Sequence, residues 1–422
     1  MNEWEVVVVG AGPAGLVAAE RAATRRIKTL LLEKNRQPGV KILISGGGHC
    51  NVTHDTDAKG IVAAFGPSGR FLHSALASLG PQQLRELLQA EGIPTFADEE
   101  GKVWPASQDA RDVLRVMLRR FERSGAMLAT EEPLLEIHTH AFGFRLTTAR
   151  QTIIAKKVVL TTGGCSYPGC GTSGDGYRLA AALGHTIVTP RPALVPILTD
   201  ADWIAELQGI TIPDAALRIV DQEYNTSSRT KNAKRNQPQD RWRGSLLFAH
   251  FGLSGPVALD ASRAISACPR GKRPSLQCDF LPDIKEEQLE TLLMDDAKGS
   301  GRQVASLLER WLPHRLAVAL VEQAQLSPDR RAAELSRHEC QRLVQAVKRL
   351  HLHTTGTLGF EKAEVTAGGV SLDEVDSHTM QSRLIPGLFL AGELLDLDGP
   401  IGGYNLQAAY STGYLAGQSV CG

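Results

Sequence analysis

Three glycines near the start of the sequence have the spacing of a loop that binds phosphate groups. The loop follows the β-branched run 5–9 and precedes the alanine-rich stretch 16–23, so the local order is strand, loop, helix. Glycine allows the tight turn and lets the backbone approach a pyrophosphate, while the N-terminus of the helix presents free N–H groups to the phosphates. The pattern predicts a dinucleotide-binding βαβ unit. Its expected contacts are Gly10, Gly12, Pro13, Ala14 and Gly15.

An acidic residue ends the second strand of this unit. The strand covers 28–32, and Glu33 follows it eighteen positions after Gly15. A carboxylate at this place accepts hydrogen bonds from the ribose hydroxyls of the adenosine, which favours FAD or NAD over NADP. We expect Glu33 and its neighbour Lys34 to contact the dinucleotide.

A second glycine-rich segment, near the C-terminus, favours FAD over NAD. A strand at 388–390 leads into the segment 391–407, whose Gly-Gly turn opens a helix and suits the pyrimidine ring of a flavin. Between the two ends, the segment 158–164 is a strand that runs into a glycine turn of the kind that closes over FAD. The sequence therefore predicts bound FAD. The expected contacts in these two segments are Thr162, Gly163, Gly164, Gly392, Glu393, Asp398, Gly403, Asn405 and Leu406.

Several long motifs give the chain a resemblance to a known family. They are KILISGGGHCNVT at 41–53, VWPAS at 103–107, TGGCSYP at 162–168, GDGY at 174–177, LFAHFGLSGP at 247–256, VTAGGV at 365–370 and the block at 391–407. With them the sequence resembles the BaiN/YhiN-like NAD(P)/FAD-dependent oxidoreductases, relatives of the fumarate-reductase-type flavoproteins, over essentially its whole length. The resemblance implies a bound FAD and a large region inserted between two halves of the FAD domain. It adds these expected FAD contacts: Lys41, Ser45, Gly46, Gly47 and Asn51.

The chain is expected to have an α/β fold, with a Rossmann-like FAD-binding domain of the GR2 type, an inserted β-rich, barrel-like subdomain and a helical subdomain. Proline-rich residues leave the first domain, short alternating segments follow, and helical patterns come after them. The expected parts are 1–190 (first part of the FAD domain), 191–282 (β-rich substrate or cap domain), 283–353 (helical subdomain) and 354–422 (return strands and second part of the FAD domain).

Three residues are candidates for catalysis. His250 stands in a motif of the inserted region that is expected to cap the flavin, where general acid or base chemistry would take place. Tyr167 lies beside a proline in the loop expected at the flavin edge. His49 stands where the family usually has arginine, and it replaces a permanent charge with a group that is mostly neutral above about pH 6.5.

The cysteines give no sign of a disulfide framework or a metal site. There are seven, an odd number scattered along the chain. Cys50 lacks the second cysteine about five residues away that a redox disulfide requires, so we interpret it as a packed thiol beside the flavin. Cys165 and Cys170 have no further cysteine or histidine nearby, and we expect no metal.

Composition limits the partners. The 46 basic and 46 acidic side chains balance, so overall charge does not favour nucleic acid or an anionic membrane. No stretch of about 18 apolar residues predicts a transmembrane helix, and the N-terminus lacks the pattern of a secretory signal. We expect a cytoplasmic location. The sequence leaves the oligomeric state open.

These features predict an FAD-dependent oxidoreductase that transfers a hydride between flavin N5 and a small-molecule substrate. A reductase of an activated C=C bond, with NAD(P)H as a transient co-substrate, is the first expectation, and an amine-type oxidase that uses O2 is an alternative. A flavoprotein that binds or modifies RNA is an alternative of another class, because residues 229–243 hold six basic side chains and one acidic one. With a single aromatic residue, the segment lacks a base-stacking platform, which disfavours nucleic acid.

Overall fold

The computed structural model describes residues 2–220, 241–269 and 274–421. The chain divides into two compact units, one formed by Met1–Pro192 with Glu364–Gly422 and the other by Ala193–Ala363. The β-rich and helical parts expected from the sequence together make up the second unit, which extends to Ala363. Most of the basic segment, residues 229–240, lies outside the described residues.

The first unit begins with alternating strands and helices. Its strands before the insertion are β1 (Asn2–Val9), β2 (Thr29–Leu32), β3 (Thr53–His54), β4 (Thr95–Ala97), β5 (Lys102–Pro105), β6 (Met127–Ala129), β7 (Leu134–His140), β8 (Gly143–Thr148), β9 (Thr152–Leu160) and β10 (Ile187–Ala193). Its helices there are α1 (Pro13–Ala23), α2 (Val40–Ile44), α3 (Ala58–Ala64), α4 (His73–Ser78), α5 (Pro81–Ala90), α6 (Ala110–Ser124) and α7 (Asp175–Ala182).

The second unit combines an antiparallel barrel with helices. Its strands are β11 (Ile197–Thr199), β12 (Thr211–Ile219), β13 (Arg241–Ala249), β14 (Gly252–Ser254), β15 (Ser275–Asp279) and β16 (Leu350–Thr357). Its helices are α8 (Trp203–Glu206), α9 (Pro256–Ala267), α10 (Glu286–Ala297), α11 (Ala305–Leu308), α12 (His314–Gln323) and α13 (Arg337–Lys348). The chain then returns to the first unit through β17 (Val365–Val370), β18 (Leu388–Leu390) and α14 (Tyr404–Ser419).

A mostly parallel sheet forms the core of the first unit. Its strand order is β6-β2-β1-β9-β8-β7, and β18 also pairs with β9. Residues 6–9 of β1 and all of β2 are buried, which is the unbroken apolar run of a parallel strand covered on both faces. In register, Val9 has Leu32 on one side and Leu160 on the other. The loops after these three strands therefore begin at the same edge of the sheet.

Small residues bring α1 and α14 close together. A Cβ added to Gly413 would lie 2.3 Å from the backbone oxygen of Ala14, and one added to Gly417 would lie 2.3 Å from that of Ala18. Side chains of any size at these two glycines would force the helices apart. The contact holds α1, and with it the loop before α1, against the C-terminal helix.

The barrel of the second unit is closed, in the order β11-β14-β13-β12-β15-β16. Strand β16 alternates, with Leu350 and Leu352 buried and His351 and His353 exposed. We expected the returning part of the FAD domain to begin at 354, within β16. Instead β16 belongs to the barrel. It pairs with both β15 and β11, and its buried Leu350 and Leu352 pack in the core of the second unit.

The expectation of a β-rich part at 191–282 did not include helix α9. Its start signal is Pro256 at the first helical position after Gly255. Its buried positions have helical spacing and are Val257, Ala258, Ala261, Ser262, Ala264 and Ile265. Because most of these residues are small, the helical pattern of apolar residues is weaker than the alternating pattern of the neighbouring strands.

The predicted fold class is confirmed: a Rossmann-type domain carries an insertion with a closed barrel and helices. The helices predicted at 81–88 and 110–123 correspond to α5 and α6. Across residues 2–220, 241–269 and 274–421, no helix combines the length and the apolar character needed to cross a membrane.

Candidate active site

The glycine loop between β1 and α1 is built for close backbone approach. A Cβ on Gly15 would lie 1.8 Å from the backbone oxygen of Gly10, so only glycine lets the helix start this near the strand. A Cβ on Gly12 would meet no atom within 4 Å. Gly12 is the N-cap of α1, with no side-chain cap, and Pro13 occupies the first turn. The first N–H groups of α1 are therefore available to a phosphate.

Glu33 is anchored beside this loop. Its side chain is 8% exposed, and its two carboxylate oxygens accept hydrogen bonds from the backbone N–H groups of Ala11 and Asn35, each at 2.8 Å. Each carboxylate oxygen has a second lone pair for a ribose hydroxyl. The Nζ of Lys34, the other residue expected to contact the dinucleotide here, lies 2.5 Å from a carboxylate oxygen of Asp175 and 2.7 Å from Ser173 Oγ.

The three glycine-rich segments predicted from distant parts of the sequence meet at one edge of the sheet. A Cβ on Gly10 would lie 2.7 Å from the oxygen of Thr161, just before the predicted contacts Thr162 to Gly164. A Cβ on Gly392 would lie 2.9 Å from Cβ of Ala14, which brings the late segment onto the first loop. Such contacts require glycine and place all three segments around one site.

Hydrogen bonds between a side chain and the backbone hold the late segment 391–407 in its conformation. Asn405 accepts a hydrogen bond from the N–H of Gly399 at 2.8 Å and donates to the oxygen of Gly399 at 3.0 Å. Gly403 is the N-cap of α14 with a φ of 91°, and a Cβ there would lie 2.6 Å from Asn51 Oδ1. His54 stacks on Tyr404, with ring centroids 4.5 Å apart. The predicted contacts Asn51, Gly403 and Asn405 therefore share one side of the site.

Within the described part of the chain, three buried polar atoms around the site have no hydrogen-bond partner. They are Oδ1 of Asn51, Oγ1 of Thr53 and Oγ1 of Thr162. Buried polar groups in folded proteins nearly always form hydrogen bonds. Unpaired polar atoms close to free backbone N–H groups therefore indicate that a polar ligand binds there. Together with the open space at Gly12 and the anchored Glu33, these groups fit a bound FAD.

A polar cluster of Lys41, Ser166, Thr366 and Glu393 ties four segments of the first unit together. Lys41 forms an ion pair with Glu393 and donates to Ser166 Oγ at 2.6 Å. Glu393 also accepts hydrogen bonds from Ser166 Oγ at 2.7 Å and from the N–H of Thr366 at 2.8 Å. Lys41 and Glu393, expected as FAD contacts, thus bind each other. Sequence reasoning missed Ser166 and Thr366 as members of the cluster.

We expect Lys41→Met to destabilise the first unit and to weaken FAD binding. The Lys41 and Glu393 side chains are only 20% and 17% exposed, so the variant leaves a mostly desolvated carboxylate without its cation. The free energy of unfolding should fall by about 2 kcal/mol. Lys34→Met is the matched control, because the Lys34–Asp175 pair is 28% and 44% exposed and should contribute less than about 1 kcal/mol. Equal urea midpoints for the two variants would contradict this role of the cluster.

The chain is similar to known proteins over nearly its whole length. The family model described as HI0933-like protein Rossmann domain matches residues 4–419. The chain belongs to this family. It is 30% identical to the ribosomal RNA dihydrouridine synthase of Escherichia coli K12, over 100% of this chain and 98% of the relative. It is also 30% identical to the 3-dehydro-bile acid delta(4,6)-reductase of Clostridium scindens, over 98% of each chain.

A further relative and a solved structure are also similar to this chain. The ribosomal RNA dihydrouridine synthase of Haemophilus influenzae is 28% identical over 99% of this chain and 98% of the relative. The crystal structure of 3-ketosteroid-delta4-(5alpha)-dehydrogenase from Rhodococcus jostii RHA1 has a TM-score of 0.53 at 16% identity, over 100% of this chain and 97% of that one, and shows the shared fold. As an HI0933-like protein, the chain is an FAD-dependent oxidoreductase, as the sequence predicted.

Tyr167 has a strained backbone in this HI0933-like protein. Its φ is 51°, in the left-handed region that a tyrosine rarely adopts, and it lies between the buried Ser166 and Pro168. Among the described residues, no hydrogen-bond partner of its hydroxyl is found. Burial, followed by the charges of Glu364 and Cys170, raises the pKa of the phenol above its ordinary value, so it keeps its proton at neutral pH.

The other two catalytic candidates are placed differently. His49 is exposed, and its Nδ1 donates to the backbone oxygen of Gln108 at 2.6 Å, which leaves Nε2 for another partner. It follows the left-handed glycines Gly46 and Gly47, which form a turn with Ser45. His250 belongs to the second unit, in the turn between β13 and β14, where its ring contacts Phe251 at 5.0 Å.

Burial keeps the cysteines near the site in the protonated thiol form, which is a poor nucleophile. Cys50 is fully buried, and burial raises the pKa of its thiol to about 11, so it remains protonated at neutral pH. Burial also raises the pKa of Cys165 and of Cys170.

Asp396 lies in the late segment 391–407 and was not selected by the sequence reasoning. It follows the turn of Glu393, its N–H donates to the oxygen of Val370 at 3.0 Å, and it is half-buried. Burial and the nearby charge of Asp398 raise the pKa of its carboxyl, while Arg191 opposes that shift. The signal in the sequence was the pair of aspartates flanking Leu397, of which only Asp398 was chosen.

Proposed function

We propose that this protein reduces a C=C bond conjugated to a carbonyl group, and that its substrate is a uracil base in RNA. One observation carries the proposal: relatives that span nearly the whole chain are named for two such reductions. A dihydrouridine is a uridine reduced at the C5=C6 bond, which is conjugated to the C4 carbonyl. A delta(4,6)-reduction of a 3-dehydro-bile acid likewise acts on double bonds conjugated to the 3-oxo group.

RNA is favoured over a steroid as the substrate by two observations. Two of the three curated relatives described above are named for ribosomal RNA. The sequence from 229 to 243 also carries six basic residues and one acidic one, a composition suited to phosphate contacts. The sequence alone led us to expect a small-molecule substrate, because the basic segment has a single aromatic residue and lacks a base-stacking platform. The names of two relatives favour RNA instead.

Different residues of the first unit have different roles in the proposed reaction. FAD, when bound and reduced, supplies a hydride at N5. The glycine loop and Glu33 hold the pyrophosphate and the ribose, and the Lys41–Glu393 cluster fixes the segments that enclose the site. We assign to Tyr167 the delivery of a proton to the carbon next to the carbonyl, while the hydride goes to the other carbon of the double bond. The substrate gains two electrons and one proton with the hydride, and NAD(P)H is the expected source of those electrons.

The test uses the FAD-loaded protein under anaerobic conditions. NADH or NADPH should bleach the flavin spectrum, and an unmodified ribosomal RNA transcript added afterwards should restore it. Digestion of the RNA and mass spectrometry of its nucleosides should then show uridine that has gained two hydrogens. The same transcript incubated with oxidised protein is the control and should remain unmodified.

A bile-acid-type steroid is the second candidate, favoured by the 30% identity to the Clostridium scindens reductase. If the reduced flavin is not reoxidised by RNA but is reoxidised by a 3-oxo-Δ4 steroid, the RNA assignment is wrong and the steroid assignment replaces it. The amine-type oxidase remains the alternative from the sequence. It would be supported if an amine bleached the flavin and O2 restored it, with no reaction of NAD(P)H.

A further inference from the structure

Four neighbouring strands of the barrel present a row of polar nitrogen-bearing side chains to solvent. Arg241 on β13 lies opposite Arg218 on β12, Arg218 lies opposite Gln277 on β15, and Gln277 lies opposite His351 on β16. Residues paired across adjacent strands point to the same face of a sheet. Arg218, Arg241 and His351 are exposed and Gln277 is partly exposed, so the cationic row of these four residues faces outward.

A second pair extends the cationic row with further hydrogen-bonding groups. Ser275 lies opposite His353, and its Oγ is 2.9 Å from Nδ1 of that ring. Gln277 Nε2 lies 3.4 Å from Nε2 of His351. The outward side chains at this end of the four strands are thus arginine, glutamine, serine and histidine, the residue types that contact phosphates in nucleic-acid complexes.

Among the described residues, the charges on these four strands do not neutralise the row. The carboxylates on these four strands are Asp214 and Asp279, and they are already paired, with Arg243 at 2.5 Å and with Lys348 at 2.7 Å. In the described part of the chain, neither Arg218 nor Arg241 forms an ion pair. Two arginines directly opposite each other repel, so this arrangement lowers the stability of the barrel. An anion bound between them would remove that repulsion.

Acidic residues limit the row on one side. His351 also lines a surface cleft with Glu286, Glu287 and Glu290. Glu286 is paired with Arg349, and Glu290 lies 3.0 Å from Arg337, but the cleft still carries no excess of positive charge. The favourable surface is therefore confined to β13, β12, β15 and the start of β16, a width of about 14 Å at the usual spacing of strands.

We propose that the cationic row binds the phosphate backbone of RNA and is the docking surface for the RNA substrate. The proposal rests on the proposed function for the identity of the polyanion, and on the register of the barrel for its position. Arginine suits this task because its guanidinium can contact two phosphate oxygens at once. Contacts of this kind are independent of base sequence, so the row supplies affinity and orientation rather than recognition of uracil.

The test measures binding of a fluorescently labelled ribosomal RNA transcript to FAD-loaded protein across a range of KCl concentrations. In the double variant Arg218→Gln/Arg241→Gln, we expect binding at least about tenfold weaker at low salt. The slope of log K against log salt should fall by about 1.4, the value for two lost phosphate contacts on single-stranded nucleic acid. The charge-preserving variant Arg218→Lys/Arg241→Lys should keep most of the slope. Arg145→Gln, an exposed strand arginine of the first unit, is the matched control and should bind as the native protein does.

Thermal unfolding distinguishes docking from a structural role. If the row only supported the barrel, the Gln double variant would melt at a lower temperature, whereas removal of a like-charge pair should leave its melting temperature unchanged or higher. Reduction of the flavin by NAD(P)H should be the same as in the native protein, because no described residue of the glycine-loop site is altered.

The outcomes separate this inference from the proposed function. If the native protein forms dihydrouridine and the Gln double variant binds RNA with the native salt slope, the docking surface is elsewhere and the function stands. If the native protein reduces RNA uridine and the Gln variant does so only at raised RNA concentration, the docking surface is supported. If the native protein neither binds nor reduces the transcript, both the proposed function and the proposed docking surface are wrong.

Discussion

We expect Gly12→Ala to weaken FAD binding without destabilising the protein, and Gly15→Val to destabilise the protein itself. At Gly12 the φ is −79°, which alanine readily adopts, and a Cβ would enter open space next to the N-terminus of α1. That space is where a pyrophosphate must approach the backbone, so the methyl group keeps it away. The dissociation constant for FAD should rise about 100-fold, or about 2.7 kcal/mol.

At Gly15 the added side-chain atoms would clash with the protein itself, even when no FAD is bound. A Cβ would lie 1.8 Å from the backbone oxygen of Gly10 and 2.7 Å from Oγ1 of Thr161. Because these neighbours are backbone and a side chain held by hydrogen bonds to Val9 and Gly10, α1 itself must move away from β1. The free energy of unfolding should fall by about 3 kcal/mol or more, and FAD binding should be lost with it.

Two measurements are needed, FAD binding by flavin fluorescence and urea unfolding of the FAD-free protein by circular dichroism. Gly169→Ala is the control, because a Cβ there meets no atom within 4 Å and its φ is not positive. It should change neither quantity. A Gly12→Ala protein that binds FAD with native affinity would show that the first glycine loop is not the pyrophosphate site.

The parts of the site that depend on short-range spacing could be predicted from the sequence. Gly10, Gly12, Gly15 and Glu33 all belong to one βαβ unit, whose geometry is fixed by a strand, a tight turn and a helix. Local covalent connection determines their relative positions, so spacing alone is informative. The same holds for Gly403 and Asn405, which lie at the start of one helix.

Contacts between distant segments could not be predicted in this way. Lys41 and Glu393 are 352 positions apart in the chain, and neither residue type nor local pattern indicates that they bind each other. Their pairing follows from the sheet: Lys41 comes after β2 and Glu393 comes after β18, and the parallel strands β2, β1, β9 and β18 end at the same edge. Closure of the barrel by β16 is likewise a matter of register between strands far apart in sequence. Sequence alone therefore selected both residues as FAD contacts, which stays a prediction, but did not indicate that they bind each other.

We expect Tyr167→Phe to slow substrate reduction about 100-fold while leaving flavin reduction by NAD(P)H unchanged. The variant removes only the hydroxyl and keeps the aromatic ring. Loss of a positioned proton donor typically costs a factor of about 100 or more. Anaerobic single-turnover measurements separate the two half-reactions, because bleaching by NAD(P)H precedes addition of the RNA. A purely structural tyrosine would slow both halves or weaken RNA binding.

The pH dependence of the second half-reaction decides between Tyr167 and Asp396 as the proton donor. A donor acts in its protonated form, so the rate falls as pH rises through its pKa. The pKa of Tyr167 is raised by burial above the ordinary value of about 10, so with Tyr167 as donor the rate should stay level through neutral and mildly alkaline pH. The pKa of Asp396 is also raised, by burial and by Asp398, but from an ordinary value near 4. With Asp396 as donor, the rate would decline from acidic toward neutral pH, and Asp396→Asn rather than Tyr167→Phe would abolish it.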